Sequence, residues 1–261
     1  GVINKILVIP EVEKNLNSPV IKSIKDDLPN DFHHGWKYLK IGKDNRIYFN
    51  IGAPCNVCEV KDPYATIASI KLDGSDFSIF ARGVRNSLGF LFHPITNDLW
   101  FTDNGRDGLG DYLPPCELNY SDGPGYHFGF PYCFGNNIID KTLSYKNTCN
   151  QFIPTMVDFE AHVAPLGIDI STGNLFSESL NNTIFIAQHG SWNRSKKIGY
   201  RIAYAKLNDE HKKIIDKGIF AEGWLKKNGN VLGRPTDILF NKSGDMFVSD
   251  DLLGNIYIIQ Y

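Results

Sequence analysis

One strand–turn–strand pattern recurs along the chain, and no long segment shows the periodicity of an amphipathic helix. Copies occupy residues 34–52, 85–105 and 233–251, and a looser copy occupies residues 164–190. Each copy places an Asn or Gly turn before a hydrophobic strand that contains an aromatic residue, so turn chemistry and strand propensity agree. The pattern predicts an all-β chain built from repeated antiparallel units.

Two of the copies continue into a second pair of strands, at residues 66–83 and 201–223. Four antiparallel strands per repeat are typical of a β-propeller blade, whereas an immunoglobulin-like sandwich has many short strands without self-similar units. The repeats are spaced more widely than bare blades, which requires inserted loops, the largest of them between Asp103 and His162. The chain contains roughly 17 candidate strands, enough for about four blades.

The charge balance and the hydropathy pattern exclude two classes of protein. The 261 residues carry 27 basic and 29 acidic side chains, a formal net charge of −2, without the basic excess of a nucleic-acid-binding surface. The longest apolar runs are far shorter than the roughly 18 residues of a membrane span. Because no shift in composition marks a linker, residues 1–261 are predicted to form one domain.

The sequence does not determine which of the five cysteines form disulfides, bind a metal or stay free. Cys55 and Cys58 form a CxxC motif that lacks the second ligand pair of a zinc site. Cys133 and Cys149 flank a polar loop and are candidates for a disulfide, which would indicate an oxidising compartment. Cys116 has no obvious partner.

The innermost strands of a propeller start at the mouth of its central channel, although these starts lie far apart in sequence. Here the starts are His34, Arg85–Asn86, Ala164–Pro165 and Arg234–Pro235. A histidine and two arginines are therefore expected around one pocket, and paired guanidinium groups suit an anionic ligand that carries carboxylates. The alternative is that the arginines are solvated charges or members of structural ion pairs.

Eight short motifs resemble, in the same order, those of the soluble glucose and sorbosone dehydrogenases that depend on pyrroloquinoline quinone (PQQ). The motifs are DLPNDFHHGWKYL, IGAPCNVCE, GVRNSLGFLFHP, FTDNGRDGLGD, HFGFPYC, AHVAPLGIDI, QHGSWNRSKKIGYRI and GRPTDILF. The pattern is more similar to the sorbosone branch, and it extends over nearly the whole chain. The resemblance implies a six-bladed β-propeller that oxidises an aldose or a sugar aldehyde by passing hydride to PQQ.

The resemblance also implies roles for residues at the strand starts. His34 matches the general base that takes the proton from the sugar C1 hydroxyl, and a neutral imidazole near its ordinary pKa suits that task. Its neighbour His33 is the weaker candidate. Arg85 and Asn86 match the pair beside the quinone oxygens, where a fixed positive charge would stabilise the developing oxyanion.

Further contacts to the cofactor follow from the same resemblance. Arg234 matches an arginine that pairs with a PQQ carboxylate, and another cationic contact matches Arg194 or, with a shifted alignment, Lys196. The family binds Ca²⁺ against the quinone through main-chain carbonyls, which here correspond to Gly105 and Arg106, and Ca²⁺ accepts such oxygen ligands readily. The acidic side chains of this loop could instead reflect turn formation.

Two residues depart from the family pattern near the base and the cofactor. Ala53 stands where glucose-type members have an aspartate that orients the histidine, so the imidazole of His34 is expected to lack an orienting partner and thus control of its tautomer. Cys116 stands where the family usually has an aspartate. This change removes a carboxylate from the cofactor loop and explains why one cysteine is left over.

The chain also resembles the family only in its later blades, so an N-terminally truncated propeller is expected. Such a propeller would expose two unpaired sheet edges, which makes a missing N-terminal segment or a second copy of the chain a candidate partner. The printed chain opens without a signal peptide. The resemblance nevertheless implies a periplasmic or secreted protein.

These residues favour oxidation of a small sugar by a quinoprotein dehydrogenase. A calcium-dependent propeller lactonase would need several carboxylates or amides at the strand starts, where arginines stand instead. A non-enzymatic binding scaffold is the other alternative. The motifs determine neither the sugar nor the electron acceptor, because substrate contacts come from variable loops.

Overall fold

The computed structural model describes residues 1–143, 148–172 and 176–260, and within these ranges the chain is almost entirely β. In chain order the strands are β1 (Ile6–Val8), β2 (Lys22–Lys25), β3 (Leu39–Ile41), β4 (Arg46–Ile51), β5 (Thr66–Lys71), β6 (Ser78–Arg82), β7 (Phe90–Phe92), β8 (Leu99–Asp103), β9 (Cys116–Ser121), β10 (Cys133–Phe134), β11 (Ile138–Ile139), β12 (Val157–Phe159), β13 (Pro165–Ser171), β14 (Thr183–Gln188), β15 (Arg201–Leu207), β16 (Ile214–Glu222), β17 (Pro235–Phe240), β18 (Met246–Asp250) and β19 (Asn255–Ile259). Short 3-10 helices lie at Val12–Lys14, Cys149–Gln151 and Glu178–Leu180. In these ranges no helix has the length and apolar character needed to cross a membrane.

Most of the described strands form four antiparallel sheets, in the orders β3-β4-β5-β6, β7-β8-β9-β12, β13-β14-β15-β16 and β17-β18-β19. The strands β1-β2 and β10-β11 form separate hairpins. Each of the four sheets starts with one copy of the sequence repeat, as expected for propeller blades. The all-β propeller prediction is therefore confirmed. The long insertion predicted between Asp103 and His162 is not all loop, because β9 and β12 within it complete the second sheet.

The turn before the second strand of each sheet has a left-handed backbone. Asn45, Asn97 and Asn182 have φ angles of 59°, 62° and 57°, and Gly244 has a φ of 91°. This conformation is costly for most L-residues, but Gly and Asn adopt it readily. The backbone of these turns explains why every copy of the repeat carries Asn or Gly there.

Apolar side chains fill the space between successive sheets. Alternate residues of a strand face opposite sides of its sheet. In β8, Phe101 packs toward the sheet β3–β6 and Trp100 packs toward the sheet β13–β16. In β14, Ile184 packs back toward the second sheet, whereas Phe185 packs toward β17–β19. Each inner sheet thus buries both of its faces, which determines the order in which the sheets stack.

The outer face of the last sheet is apolar and exposed. Leu239, Ile256 and Ile258 are 58%, 70% and 57% exposed, and Phe247 lies in register between Leu239 and Ile258. The outer face of the first sheet packs on Ile6 of the β1–β2 hairpin instead. Within the described ranges, no comparable element covers β17–β19.

Two disulfides tie loops of the propeller. The candidate disulfide Cys133–Cys149 is confirmed. Cys55 and Cys58 are bonded to each other, so the CxxC motif closes a short loop and is not half of a zinc site. Cys116 is a buried free thiol, as its lack of a partner in the sequence predicted.

The packing between the third and last sheets predicts the effect of one substitution. Phe185 is fully buried there, so Phe185→Ala should lower the free energy of unfolding by about 3–5 kcal/mol through lost burial and a residual cavity. Phe32 is 83% exposed, and Phe32→Ala should change it by less than about 0.5 kcal/mol. Urea denaturation followed by tryptophan fluorescence measures both. Equal effects of the two substitutions would contradict this packing.

Candidate active site

The segments that precede the first strands of three sheets surround one cavity of about 300 Å³. His34 precedes β3, Arg85 and Asn86 precede β7, and Ala164 precedes β13. These residues line the cavity together with His33, Asn104, Gly105, Asp107, Cys116, His162, Leu166, Trp192 and Asn193. The structure therefore brings together the histidine, the arginine and the asparagine that the sequence singled out.

Arg234 also precedes a first strand, but its side chain is not among those that line this cavity. Its Nε and Nη2 atoms donate to the carbonyl oxygens of His189 and Gly190 at 3.2 and 2.8 Å. The guanidinium lies over the ring of Tyr200, 5.5 Å from its centroid. In this structure the charge of Arg234 is thus held by main-chain oxygens and an aromatic face.

The two alternative cationic residues of the next loop also lie outside the cavity lining. Arg194 donates from Nη1 to the carbonyl oxygen of Ala161 at 3.1 Å and lies 5.1 Å from the ring centroid of Tyr112. Its Nε atom is buried and has no partner among the described residues. Lys196 is exposed. Of the two, only Arg194 has its charged group engaged by the described residues.

The main chain orients the imidazole of His34. Its Nδ1 atom lies 2.9 Å from the carbonyl oxygen of Ala53. Because a carbonyl oxygen only accepts hydrogen bonds, Nδ1 carries the proton of the neutral ring and Nε2 keeps a lone pair. The expectation that Ala53 leaves His34 without an orienting partner is therefore wrong. The carbonyl of this alanine does what an aspartate side chain was expected to do.

Burial, followed by the positive charges of Arg85 and His33, lowers the pKa of His34 to about 3. The ordinary pKa that the sequence suggested is therefore wrong, because the sequence shows neither the burial nor the neighbouring arginine. The imidazole is neutral at physiological pH, as a proton acceptor must be. It is also a weaker base than a solvated histidine.

Arg85 is the buried cation of the cavity, only 3% exposed. Its Nε and Nη2 atoms donate to the carbonyl oxygen and to Oδ1 of Asn56, both at 2.9 Å. Its Nη1 atom donates to the carbonyl oxygen of Asn104 at 3.1 Å, and the Asp107 carboxylate lies 3.8 Å from Nη2. Burial lowers the pKa of Arg85, yet a guanidinium stays charged in proteins. With an acceptor at every nitrogen, this charge is fixed in place.

Asp103 holds the main chain of Arg85 and Asn86. Its two carboxylate oxygens accept hydrogen bonds from the backbone N–H groups of Arg85 at 2.7 Å and Asn86 at 2.6 Å. From the sequence, Asp103 stood out only as the start of the long insertion. The antiparallel pairing of β7 with β8 could have identified it, because this pairing places the end of β8 beside the start of β7.

Two amide oxygens in the cavity lack hydrogen-bond donors. Oδ1 of Asn86 and Oδ1 of Asn193 are both buried, and neither accepts a hydrogen bond from the described residues. Nδ2 of Asn193 donates to Asp107. Buried acceptors normally have partners, so a ligand with N–H or O–H groups would satisfy both oxygens. Sequence reasoning missed Asn193 because it assigned the role in this loop to a cation.

The predicted calcium ligands are the main-chain carbonyls of two consecutive residues, Gly105 and Arg106. Gly105 lines the cavity, whereas the Arg106 side chain turns to a buried ion pair with Asp140. Cys116 lines the cavity where a carboxylate was expected. The described ranges contain no group of three or more His, Cys, Asp or Glu side chains placed to hold a metal ion. A calcium site here would depend on carbonyl oxygens.

A second buried carboxyl group lies behind Asp103. Glu117 is its cross-strand partner on β9 and accepts hydrogen bonds from the Gly135 N–H at 2.6 Å and from Asn119 Nδ2 at 2.9 Å. Burial, and then the charge of Asp103, raises the pKa of Glu117, and burial also raises the pKa of Asp103. Native Glu117 therefore keeps its proton at a pH where the unfolded chain has lost it.

This raised pKa predicts the sign of a pH dependence. As the pH rises above 4.5, the ordinary value for glutamate, the unfolded state loses a proton that the native state retains. The free energy of unfolding should then fall by up to ~1.4 kcal/mol per pH unit until Glu117 itself ionises. Glu117→Gln should reduce this slope, and the exposed control Glu210→Gln should not. Denaturation series from pH 4 to 9 measure the slopes, and identical slopes in all three proteins would refute the assignment.

Comparison with known proteins agrees with the fold. A family model described as TrAA12-like matches residues 64–261. An uncharacterized protein of Borreliella burgdorferi is 40% identical over 99% of this chain and 72% of its own length. A calcium structure of Trichoderma reesei Carbohydrate-Active Enzymes Family AA12 has a TM-score of 0.83 at 18% identity, over 99% of this chain and 76% of that one. The holo form of the pyranose dehydrogenase PQQ domain from Coprinopsis cinerea has a TM-score of 0.75 at 16% identity. This match covers 94% of this chain and 74% of that one.

The matched family region contains the second, third and last sheets in full, together with Arg85, Asn86 and most of the cavity. The Borreliella relative aligns with nearly the whole chain. On these grounds the protein belongs to the TrAA12-like family.

Proposed function

We propose that this TrAA12-like protein is a PQQ-dependent oxidoreductase that oxidises an aldose or a sugar aldehyde in the cavity between His34 and Arg85. The observation that carries the proposal is the pairing of a neutral histidine, whose Nε2 lone pair accepts no hydrogen bond from the described residues, with a fixed buried cation in one cavity. Solved structures with this fold include a PQQ domain of a pyranose dehydrogenase. A further placement in the sorbosone branch stays a prediction.

The cavity residues fit a flat, anionic quinone. A volume of about 300 Å³ lies at the lower end of the range for small-molecule sites. Arg85 supplies a fixed positive charge, and the unpaired Oδ1 atoms of Asn86 and Asn193 can accept hydrogen bonds from ring N–H or sugar hydroxyl groups. Arg85 and Asn86 are the proposed holding residues. Arg194, Lys196 and Arg234 stay candidates for cofactor carboxylates, and each would have to reorient to reach this cavity.

Oxidation of a sugar hydroxyl removes one proton from oxygen and one hydride from carbon. We assign the proton to Nε2 of His34, and the hydrogen bond from Nδ1 to the Ala53 carbonyl stabilises the imidazolium that forms. The Arg85 guanidinium stabilises negative charge that develops on a bound oxygen. Bound PQQ would supply the two-electron acceptor for the hydride. The proposed Ca²⁺ ligands are the carbonyl oxygens of Gly105 and Arg106, where the ion would act as a Lewis acid.

Two disulfides in a chain of this size favour an oxidising compartment. We therefore propose that the protein works in a periplasm or outside the cell.

The proposed function predicts a reaction that one histidine controls. The purified chain, given PQQ and Ca²⁺, should reduce the quinone when aldoses or sugar aldehydes are added, as followed by absorbance. His34→Ala should lower turnover by roughly 10²–10⁴-fold, the usual contribution of a general base, without abolishing PQQ binding. His33→Ala should cost much less, because the base would remain. Equal losses in both variants would refute His34 as the base. A folded chain that binds no PQQ would support the scaffold alternative.

We also propose that another β-sheet, from polypeptide outside these 261 residues, covers the open face of β17–β19. Each described sheet interface buries apolar residues of two neighbouring sheets. Leu239, Ile256 and Ile258 continue that pattern, and no sheet among the described residues covers them. The Borreliella relative extends beyond the aligned region, which is 72% of its length.

The partner proposal predicts that the isolated chain binds an apolar dye at this face. Leu239→Ser with Ile258→Ser should weaken the fluorescence of bound anilinonaphthalene sulfonate, while the circular dichroism spectrum is unchanged. Intact-mass measurement of the natural protein should give more than the mass of these residues. A dimer that the double substitution dissociates would identify a second copy of the chain as the occupant. A monomer that binds no dye would show that the face needs no cover.

A further inference from the structure

A segment of six residues, 53–58, contacts both of the residues to which the proposed function gives its main roles. At its start, the Ala53 carbonyl accepts the hydrogen bond from His34 Nδ1 at 2.9 Å. The Ala53 N–H donates to the carbonyl oxygen of Arg85 at 2.9 Å. Three residues later, Asn56 accepts two hydrogen bonds from the Arg85 guanidinium. The base and the cation are therefore oriented by one piece of chain.

Asn56 also joins this segment to Asp107, another residue of the cavity lining. Its Oδ1 accepts from the Asp107 N–H at 2.8 Å, and its Nδ2 donates to the Asp107 carbonyl at 3.0 Å. The Asp107 carboxylate in turn accepts from Asn193. One asparagine side chain thus links the guanidinium of Arg85 to the loop that carries the acidic residue of the cavity.

The disulfide Cys55–Cys58 closes the chain around Asn56. A cross-link over so few residues restricts the conformations open to the loop. This restriction matters because Asn56 uses both its carbonyl and its side-chain oxygen to hold Arg85, and the two must stay in fixed relative positions. Without them, the Asn104 carbonyl is the one main-chain acceptor that the described residues still offer the guanidinium, and a buried cation without its acceptors is strongly disfavoured.

We propose that Asn56, held in the disulfide-closed loop Cys55–Cys58, is a positioning residue that fixes the Arg85 guanidinium next to His34. The functional meaning of this contact depends on the proposed function, but the geometry does not. Asn56 itself is not among the residues that line the cavity. It acts through Arg85 and through the main chain of Asp107.

The test uses the protein without cofactor, so that its outcome does not depend on catalytic activity. The ionisable side chains that share the cavity with His34 are those of His33, Arg85, Asp107, Cys116 and His162. Asn56→Ala removes the Nη2 acceptor and both bonds to Asp107. The guanidinium should then move more freely and repel the imidazolium less. The pKa of His34, measured by NMR, should therefore rise. Exchange of the Arg85 Nε–H with solvent should become faster. Asn230→Ala, on an exposed loop, is the control and should change neither.

Two further variants separate the side chain from the loop. Asn56→Asp keeps an acceptor for Nη2 and should keep the Arg85 Nε–H exchange slow, which is the expected rescue. Cys55→Ser with Cys58→Ser leaves Asn56 in place but opens the loop, and should speed that exchange. A folded Asn56→Ala protein with the wild-type pKa of His34 and wild-type exchange at Arg85 would overturn the proposal. If Asn56→Ala does not fold, the double cysteine variant and Asn56→Asp test the proposal instead, through the pKa of His34 and the exchange rate of the Arg85 Nε–H.

Cofactor binding provides the second arm. In Asn56→Ala the PQQ dissociation constant should rise about 10- to 100-fold, as expected when a charged hydrogen-bonded group loses its support. If the wild-type chain binds no PQQ while the His34 and Arg85 readouts shift as described, the proposed function fails and the positioning role stands. If the wild type binds PQQ and the variant binds it equally well with unchanged NMR readouts, the positioning role fails alone.

Discussion

The burial of apolar faces between successive sheets is the constraint on which the rest of the structure depends. Each inner sheet has two apolar faces, and each face packs against a neighbour. This packing sets the first strands side by side, so closely that a Cβ atom on Gly89 would lie 1.9 Å from the carbonyl oxygen of Leu166. The segments before those strands must then share one opening. The cavity is thus a consequence of how the sheets stack, and its residues need not be near one another in sequence.

Within that cavity, the cost of burying the Arg85 charge determines the polar arrangement. A buried guanidinium must find acceptors for its N–H groups or destabilise the fold. Asn56 and Asn104 supply these acceptors, and the buried carboxylate of Asp103 anchors the main chain of Arg85. Burial, and then the charge of Asp103, raises the pKa of Glu117, which is why Glu117 keeps a proton. The site therefore combines one fixed cation with two buried carboxyl groups behind it, of which Glu117 is protonated.

The features that could be predicted from the sequence are those that depend on residue type and on the spacing of the repeats. The repeats predicted the sheets, the Asn and Gly turns predicted where second strands begin, and the strand starts predicted that His34, Arg85 and Asn86 meet. The remaining features depend on the main chain, which side-chain identity does not reveal. The carbonyl of Ala53 orients His34, although alanine has no polar side chain to suggest it. Arg234 occupies a strand start as expected, but two carbonyl oxygens hold its guanidinium away from the cavity.

The proximity of Arg85 and His34 has two opposite effects on the proposed chemistry. The positive charge would stabilise an oxyanion, yet it also contributes to the low pKa of His34, so His34 beside Arg85 alone is a poor proton acceptor. An anionic ligand beside Arg85 would offset that charge and raise the pKa of His34. By linkage, protonation of His34 would strengthen the binding of the same anion to the same extent. The base would then become stronger only when the anion is in place, which confines proton removal to the loaded site.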